Sequence, residues 1–80
     1  MRIPRDIPAD RLIRSLHVLG YEVTRQKGSH IRLTTNLDGE HHEVIPNHNP
    51  IKIGTLQHIL KSIAQHHSMK LDELLNRLDL

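Results

Sequence analysis

The apolar period of this 80-residue chain changes at Gly20, and that switch decides what it can fold into. Before Gly20, the residues Ala9, Leu12, Ile13, Leu16 and Leu19 fall on one face at helical spacing. The spacing predicts a helix from about Pro8 to Leu19, with Pro8 in the first turn, where its missing N–H costs nothing. Arg2 to Ile7 reads as a short extended lead, because Pro4 and Pro8 disfavour helix immediately before them. From Tyr21 the period becomes two: Tyr21, Val23 and Arg25 alternate with Glu22, Thr24 and Gln26, and the β-branched residues favour a strand.

Lys27-Gly28-Ser29 reads as a turn into a second strand, with Ile31, Leu33 and Thr35 on one face and His30, Arg32 and Thr34 on the other. Asn36-Leu37-Asp38-Gly39 closes a hairpin, Asp-Gly being a strong turn signal. A third strand follows from about Glu40 to Ile45. Its register stays open, since Val44 shares a face with His42 while Ile45 shares one with Glu43. Pro46-Asn47-His48-Asn49-Pro50 is a loop by composition. A helix then begins near Ile53, with Leu56, Ile59, Leu60, Ile63 and Ala64 as its apolar stripe. Ser68 and Met69 interrupt it, and Leu71, Leu74, Leu75 and Leu78 mark a short last helix.

The order α-β-β-β-α-α specifies an α+β fold: a three-stranded antiparallel sheet with helices packed on one face. The length suits one domain, residues 1–80. With no Trp or Phe and Tyr21 as the only aromatic, the core must be aliphatic. The same lack counts against binding unpaired bases by stacking on exposed aromatic rings. The second face of the sheet, carrying His30 and Arg32, is left open for binding.

Charge and composition narrow the classes further. A formal charge of +2 and eight histidines are compatible with a nucleic-acid partner without demanding one. With no cysteine, disulfides and thiolate zinc sites are excluded. The start of the chain has no apolar signal-like stretch and nothing is long enough to span a membrane, so a cytoplasmic protein is expected. The histidines also lack the spacing of a zinc site. His58, His66 and His67 stand eight and nine apart, and His66-His67 splay by about 100° on a helix. No metal and no cofactor are expected.

The candidate chemistry lies in Arg25-Gln26-Lys27-Gly28-Ser29-His30, a basic turn that delivers an imidazole onto a strand. Imidazole titrates near pH 6.5, so it can act as base or acid near neutrality. RNA carries its own nucleophile, the 2′-OH, and needs in principle neither activated water nor metal. His30 is then the base, with Lys27, the Gly28 and Ser29 amides, and Arg25 and Arg32 around the phosphate. The bland alternative for His30 is a solvated strand histidine capping a turn. His48 is a possible second proton donor, although a loop histidine bonded to backbone fits that position better. Lys52 before Ile53-Gly54-Thr55 offers a helix start whose free N–H groups and dipole attract phosphate, and Lys61 extends the positive track. The plain alternative is a helix started by Thr55 beside a solvated Lys52. His41 and His42 point to opposite faces of one strand, so at most one can join His30, and a structural or solvent role suits both.

The ordered set Gly20-Tyr21, Arg25-Gln26-Lys27-Gly28-Ser29-His30, Ile45-Pro46-Asn47-His48, Gly54-Thr55-Leu56 and Ile59-Leu60-Lys61 resembles the HicA (YcfA-like) toxins over almost the whole chain. The resemblance implies a double-stranded-RNA-binding-domain-like fold, mRNA interferase (endoribonuclease) activity on mRNA, and a HicB-type antitoxin as partner. It also implies that His30 is the catalytic histidine. Ile31 stands where a second histidine often follows in the family, and His48 matches a histidine that often recurs there. Two rival readings remain. One is a non-catalytic module that holds RNA by shape, reading 2′-OH and phosphate groups. The other is a protein-interaction module presenting Leu71, Leu74, Leu75 and Leu78, residues that a chain this small needs for its core.

Overall fold

The computed structural model describes residues 3–80, so Arg2, the first residue of the expected extended lead, lies outside it. Helix α1 (Ala9–Leu16) runs into a 3-10 turn (His17–Leu19), then come strands β1 (Glu22–Lys27), β2 (His30–Thr35) and β3 (His41–Pro46), and helices α2 (Ile53–His66) and α3 (Leu71–Leu78). The sheet has the order β1-β2-β3 with both pairings antiparallel. The α+β architecture and the element order match the sequence pattern.

The first helix ends sooner than its periodicity implies. Its apolar spacing continues to Leu19, but the last turn tightens to 3-10 because the chain must leave at Gly20, which is left-handed with φ +81°. Any side chain there would be strained, and a Cβ would stand 2.8 Å from Thr35 Oγ1. That hydroxyl is occupied: it donates to the Leu19 carbonyl at 2.7 Å and accepts from the Leu37 amide at 3.1 Å. Pro8 lies in extended conformation just before α1 rather than in its first turn, as its cap.

Burial alternates cleanly along β2, with Ile31, Leu33 and Thr35 inward and His30 and Arg32 outward. Antiparallel partners share a face, so the open register of β3 is resolved by its pairings. Ile45 lies opposite Ile31 and is buried, taking Glu43 and His41 inward; Val44 opposite Arg32 and His42 opposite Thr34 face out. Leu12, Leu16 and Leu19 meet Leu33 and Ile45 of the sheet and Leu56, Leu60 and Ile63 of α2 in one core, closed by Leu74 and Leu78 of α3. The leucines of the last helix therefore split: Leu74 and Leu78 are buried, while Leu71 and Leu75 only lean on the core. Two isoleucines outside the regular elements also join it, Ile7 and Ile51, tied by an Ile51 N–H to Ile7 carbonyl bond of 2.8 Å.

Strand β1 departs most from expectation. The pairing slips between Val23↔Leu33 and Arg25↔Arg32, leaving Thr24 as an extra residue in a β-bulge. Strict alternation would put Arg25 on the face of Val23. The bulge instead turns Arg25 and Lys27 to the outer face, opposite Arg32 and His30. All six β1 residues are exposed, because the helices pack against β3 rather than over this edge.

Candidate functional site

The outer face of the sheet carries the candidate site, and its layout follows from strand register. Lys27 and His30 form the pair that flanks the two-residue Gly28-Ser29 turn, where Gly28 takes φ +58°. The next outward pair is Arg25 and Arg32. Two residues along a strand advance about 7 Å, so three cations and one imidazole occupy a patch two rows deep. Two arginines directly opposite each other destabilise a sheet. Among the described residues neither has a carboxylate in salt-bridge range, and neither has Lys27. Such a row lowers stability in the free protein and gains most from an anion laid across it.

The loop after β3 passes the same end of the sheet. Pro46 pairs with His30, the Asn47 amide donates to the Ser29 carbonyl at 2.6 Å, and the His48 amide turns back to Pro46 at 2.8 Å. His48 itself is exposed, with its carbonyl accepting from the Ala9 amide at 3.3 Å and its ring making no hydrogen bond among the described residues. This contact, with the Asn49 side chain accepting from the same amide at 3.1 Å, fastens the start of α1 to the loop.

The loop then reaches Lys52, which precedes α2 without a side-chain cap, leaving the first amides of that helix with no side-chain acceptor. Gly54 has open space where a Cβ would be, and Thr55 is half-buried. Lys27, Gly28, Ser29, His30 and the His48 backbone are thus brought to one end of the fold, with Arg25 and Arg32 one row further along the sheet, while Lys52 stands at the start of α2. Lys61 is exposed on α2 nine residues beyond Lys52, about 13 Å along the helix axis, and belongs to the helical layer instead.

Further along the same open face lies a row that periodicity did not single out. Thr24 and Thr34 share a hydrogen bond of 3.0 Å, Thr34 meets His42 Nδ1 at 2.8 Å, and His42 Nε2 meets Glu40 at 2.7 Å. His42 is the member of the doubled pair that shares the face of His30, but it sits opposite Thr34, four residues from His30. It is held by its neighbours rather than poised beside the turn.

A second feature escaped the sequence altogether. Tyr21 is fully buried, and its hydroxyl lies 2.8 Å from His41 Nδ1 and 3.2 Å from His67 Nε2. His67 Nδ1 meets Asp38 at 3.0 Å, and His66 Nε2 donates to the carbonyls of Leu37 and Gly39 at 3.1 and 3.0 Å. His41 stacks on His66 with ring centroids 4.3 Å apart. Burial and the charge of Glu43 push the Tyr21 phenol well above its usual range. Burial, then the neighbouring His66, His67 and His42, hold His41 below its ordinary value. Glu43 is raised by burial against the opposing effects of its bond from Ser62 and of His58. The only sequence signal was a lone tyrosine among paired histidines, and it carries no spacing rule. Among the described residues, no three or more His, Asp or Glu side chains gather as metal ligands.

A family model described as HicA toxin of bacterial toxin-antitoxin matches residues 9–64, which span α1, the whole sheet and most of α2. Neither a curated relative nor a solved structure matches the chain at a significant level.

Proposed function

The chain belongs to the HicA toxin family of bacterial toxin-antitoxin systems, and from that premise we propose that it is an endoribonuclease acting on mRNA through His30. A toxin of such a system has an antitoxin partner, which we take to be of the HicB type. The observation that carries the reading is the unneutralised outer face on which Lys27, Arg25 and Arg32 surround an exposed imidazole.

The chemistry follows from RNA itself. His30 accepts the 2′ proton as the 2′ oxygen bonds to phosphorus. The phosphorane charge falls among Lys27, Arg32 and the turn amides, and the bond to the 5′ oxygen breaks. That oxygen takes a proton from an acid, for which His48 is the candidate at the same end of the fold. The products are a 2′,3′-cyclic phosphate and a 5′-hydroxyl end, and neither a metal nor a redox partner enters the balance. The α2 start, with Lys52, Gly54 and Thr55, holds a flanking phosphate. An antitoxin covering Lys27, His30 and Lys52 would silence the toxin by occlusion.

The test is cleavage of an unstructured transcript in EDTA by the wild-type chain and by folded His30→Ala. Cutting by the wild type alone, with cyclic-phosphate ends, supports the reading. RNA binding without cutting by either protein replaces it with a non-catalytic RNA-holding module. Cutting by both moves the catalytic group elsewhere.

A further inference from the structure

The outer face of the sheet changes character between its second and third rows. Lys27 with His30, and Arg25 with Arg32, make the first two rows cationic. In the third row Glu22 and His42 flank Thr34 on the neighbouring strands. Thr24 joins it from the bulge, and Glu40 reaches back to His42. The row therefore carries a carboxylate toward each edge of the sheet. Among the described residues neither carboxylate is in salt-bridge range of a lysine or arginine.

Counting protons shows what this row offers to a ligand. Three contacts link it: Thr24 to Thr34 at 3.0 Å, Thr34 to His42 Nδ1 at 2.8 Å, and His42 Nε2 to Glu40 at 2.7 Å. A carboxylate only accepts, so His42 Nε2 carries a proton. With the ring neutral, Nδ1 is bare and accepts from Thr34, which in turn accepts from Thr24. With the ring charged, both hydroxyls reverse, and Thr24 donates to the Arg32 carbonyl at 3.4 Å. In either state every hydroxyl and ring N–H proton of the row is used within the protein. What faces outward is lone pairs alone, on Thr24, Thr34 and above all Glu40, whose side chain is 66% exposed.

A row of this kind repels phosphate and accepts N–H donors. An RNA strand whose phosphates lie over Lys27, Arg25 and Arg32 must then bring a base, not its backbone, to the third row. Aromatic stacking cannot select that base, because Tyr21 is the only Phe, Tyr or Trp in the chain and is buried. Val44, exposed on the outer face opposite Arg32 and two residues from His42, offers it an apolar seat. Selection is left to hydrogen bonds. Guanine alone among the RNA bases has two adjacent donors, N1–H and the N2 amino group, on its pairing edge, and one carboxylate can accept from both. Adenine and cytosine set an amino group beside an acceptor, and uracil sets one N–H between two carbonyls.

We propose that Glu40, held by His42 and flanked by Thr34 and Thr24, is a guanine-reading subsite that gives the RNA reading above, on which it rests, its sequence preference. Glu40 accepts from guanine N1–H and N2–H, and His42 positions its carboxylate. Thr34 stands four residues from His30 on β2, about 13 Å along the strand. The guanine read is therefore displaced along the RNA from the bond that His30 addresses.

The experiment measures affinity of the full-length protein for short oligouridines with 2′-deoxy sugars, which cannot be cut through a 2′-OH. The strands carry no substitution, or a single guanine, hypoxanthine or adenine. Guanine should raise affinity by about tenfold, within the range of a bidentate base contact. Hypoxanthine, which lacks the N2 amino group, should fall between guanine and uracil, and adenine should gain nothing. Glu40→Gln, which puts an N–H donor where the row had only acceptors, should abolish the guanine gain while still binding the plain strand. Glu40→Ala should abolish it as well, and the residue is exposed in the fold. A guanine gain that survives both variants overturns the proposal, as does an equal gain from adenine. Binding without base discrimination overturns it too, and leaves the row to the N–H donors of a protein partner. No binding of any strand overturns both this subsite and the RNA reading. Guanine-dependent binding beside failure to cut unmodified RNA sustains the subsite and removes only the nuclease.

Discussion

Two groups of histidines divide this small protein. At one end His30 is exposed on a sheet face among three cations that, among the described residues, have no carboxylate in salt-bridge range. At the other, His41, His66 and His67 are held by Tyr21, Asp38 and backbone carbonyls. The same side chain is left free in one place and engaged on its ring nitrogens in the other. A histidine that must take and release a proton from a substrate needs access and nearby positive charge. One that holds elements together needs burial and partners of the right hydrogen-bonding sense. The division is produced by register: one residue of strand separates His41, which points inward, from His42, which points out.

The comparison breaks most visibly if the two groups respond alike to mutation. His30→Ala should lower RNA cleavage by about 10²–10⁴-fold, the usual weight of a positioned proton carrier, and leave thermal unfolding unchanged because the ring is exposed. Tyr21→Phe should do the reverse. It strips a buried partner from two imidazoles, and leaving such a group unsatisfied costs about 1–3 kcal/mol, readable by chemical denaturation.

Smaller effects sharpen the contrast. Arg32→Ala should weaken single-stranded RNA binding and reduce the slope of log affinity against log salt by about 0.7. It should also slightly stabilise the free protein by relieving the pair with Arg25. On the acid side, His41 is held below its ordinary value in the folded chain. The unfolded chain therefore binds that proton first, and stability should fall as pH drops below about 6.5. Stability measured between pH 7 and 5 for wild type and His41→Gln checks this, with the variant less sensitive. Lys61→Ala should change RNA affinity least of all, and less than Lys52→Ala, since Lys61 lies along the helical layer away from the turn.

Much of the fold was legible because burial in a two-layer domain imposes simple periods. Leu12, Leu16, Leu56, Leu60 and Ile63 announce their helices, and the alternation from His30 to Thr35 announces β2 and puts His30 and Arg32 on the open face. The placement of Arg25 was not legible, because a bulge adds one residue without any change of composition, and Thr24 looks like any strand threonine. The early tightening of the first helix was hidden for a similar reason, since apolar spacing continues through the 3-10 turn to Leu19. Strand β3 stayed ambiguous until pairing with β2 chose between Val44 and Ile45. The Tyr21 cluster joins residues 46 positions apart, and local pattern says nothing about contacts of that range. It took the packing of α2 across β3 to bring His66 and His67 over His41.

The most direct measurement is RNA cleavage per folded molecule, taken for His30→Ala and Tyr21→Phe side by side at a temperature where both are folded. The account predicts a loss of at least about a hundredfold for His30→Ala and a rate close to wild type for Tyr21→Phe. A Tyr21→Phe protein that folds but does not cut, beside a His30→Ala protein that still does, would place the chemistry in the buried cluster and contradict the account.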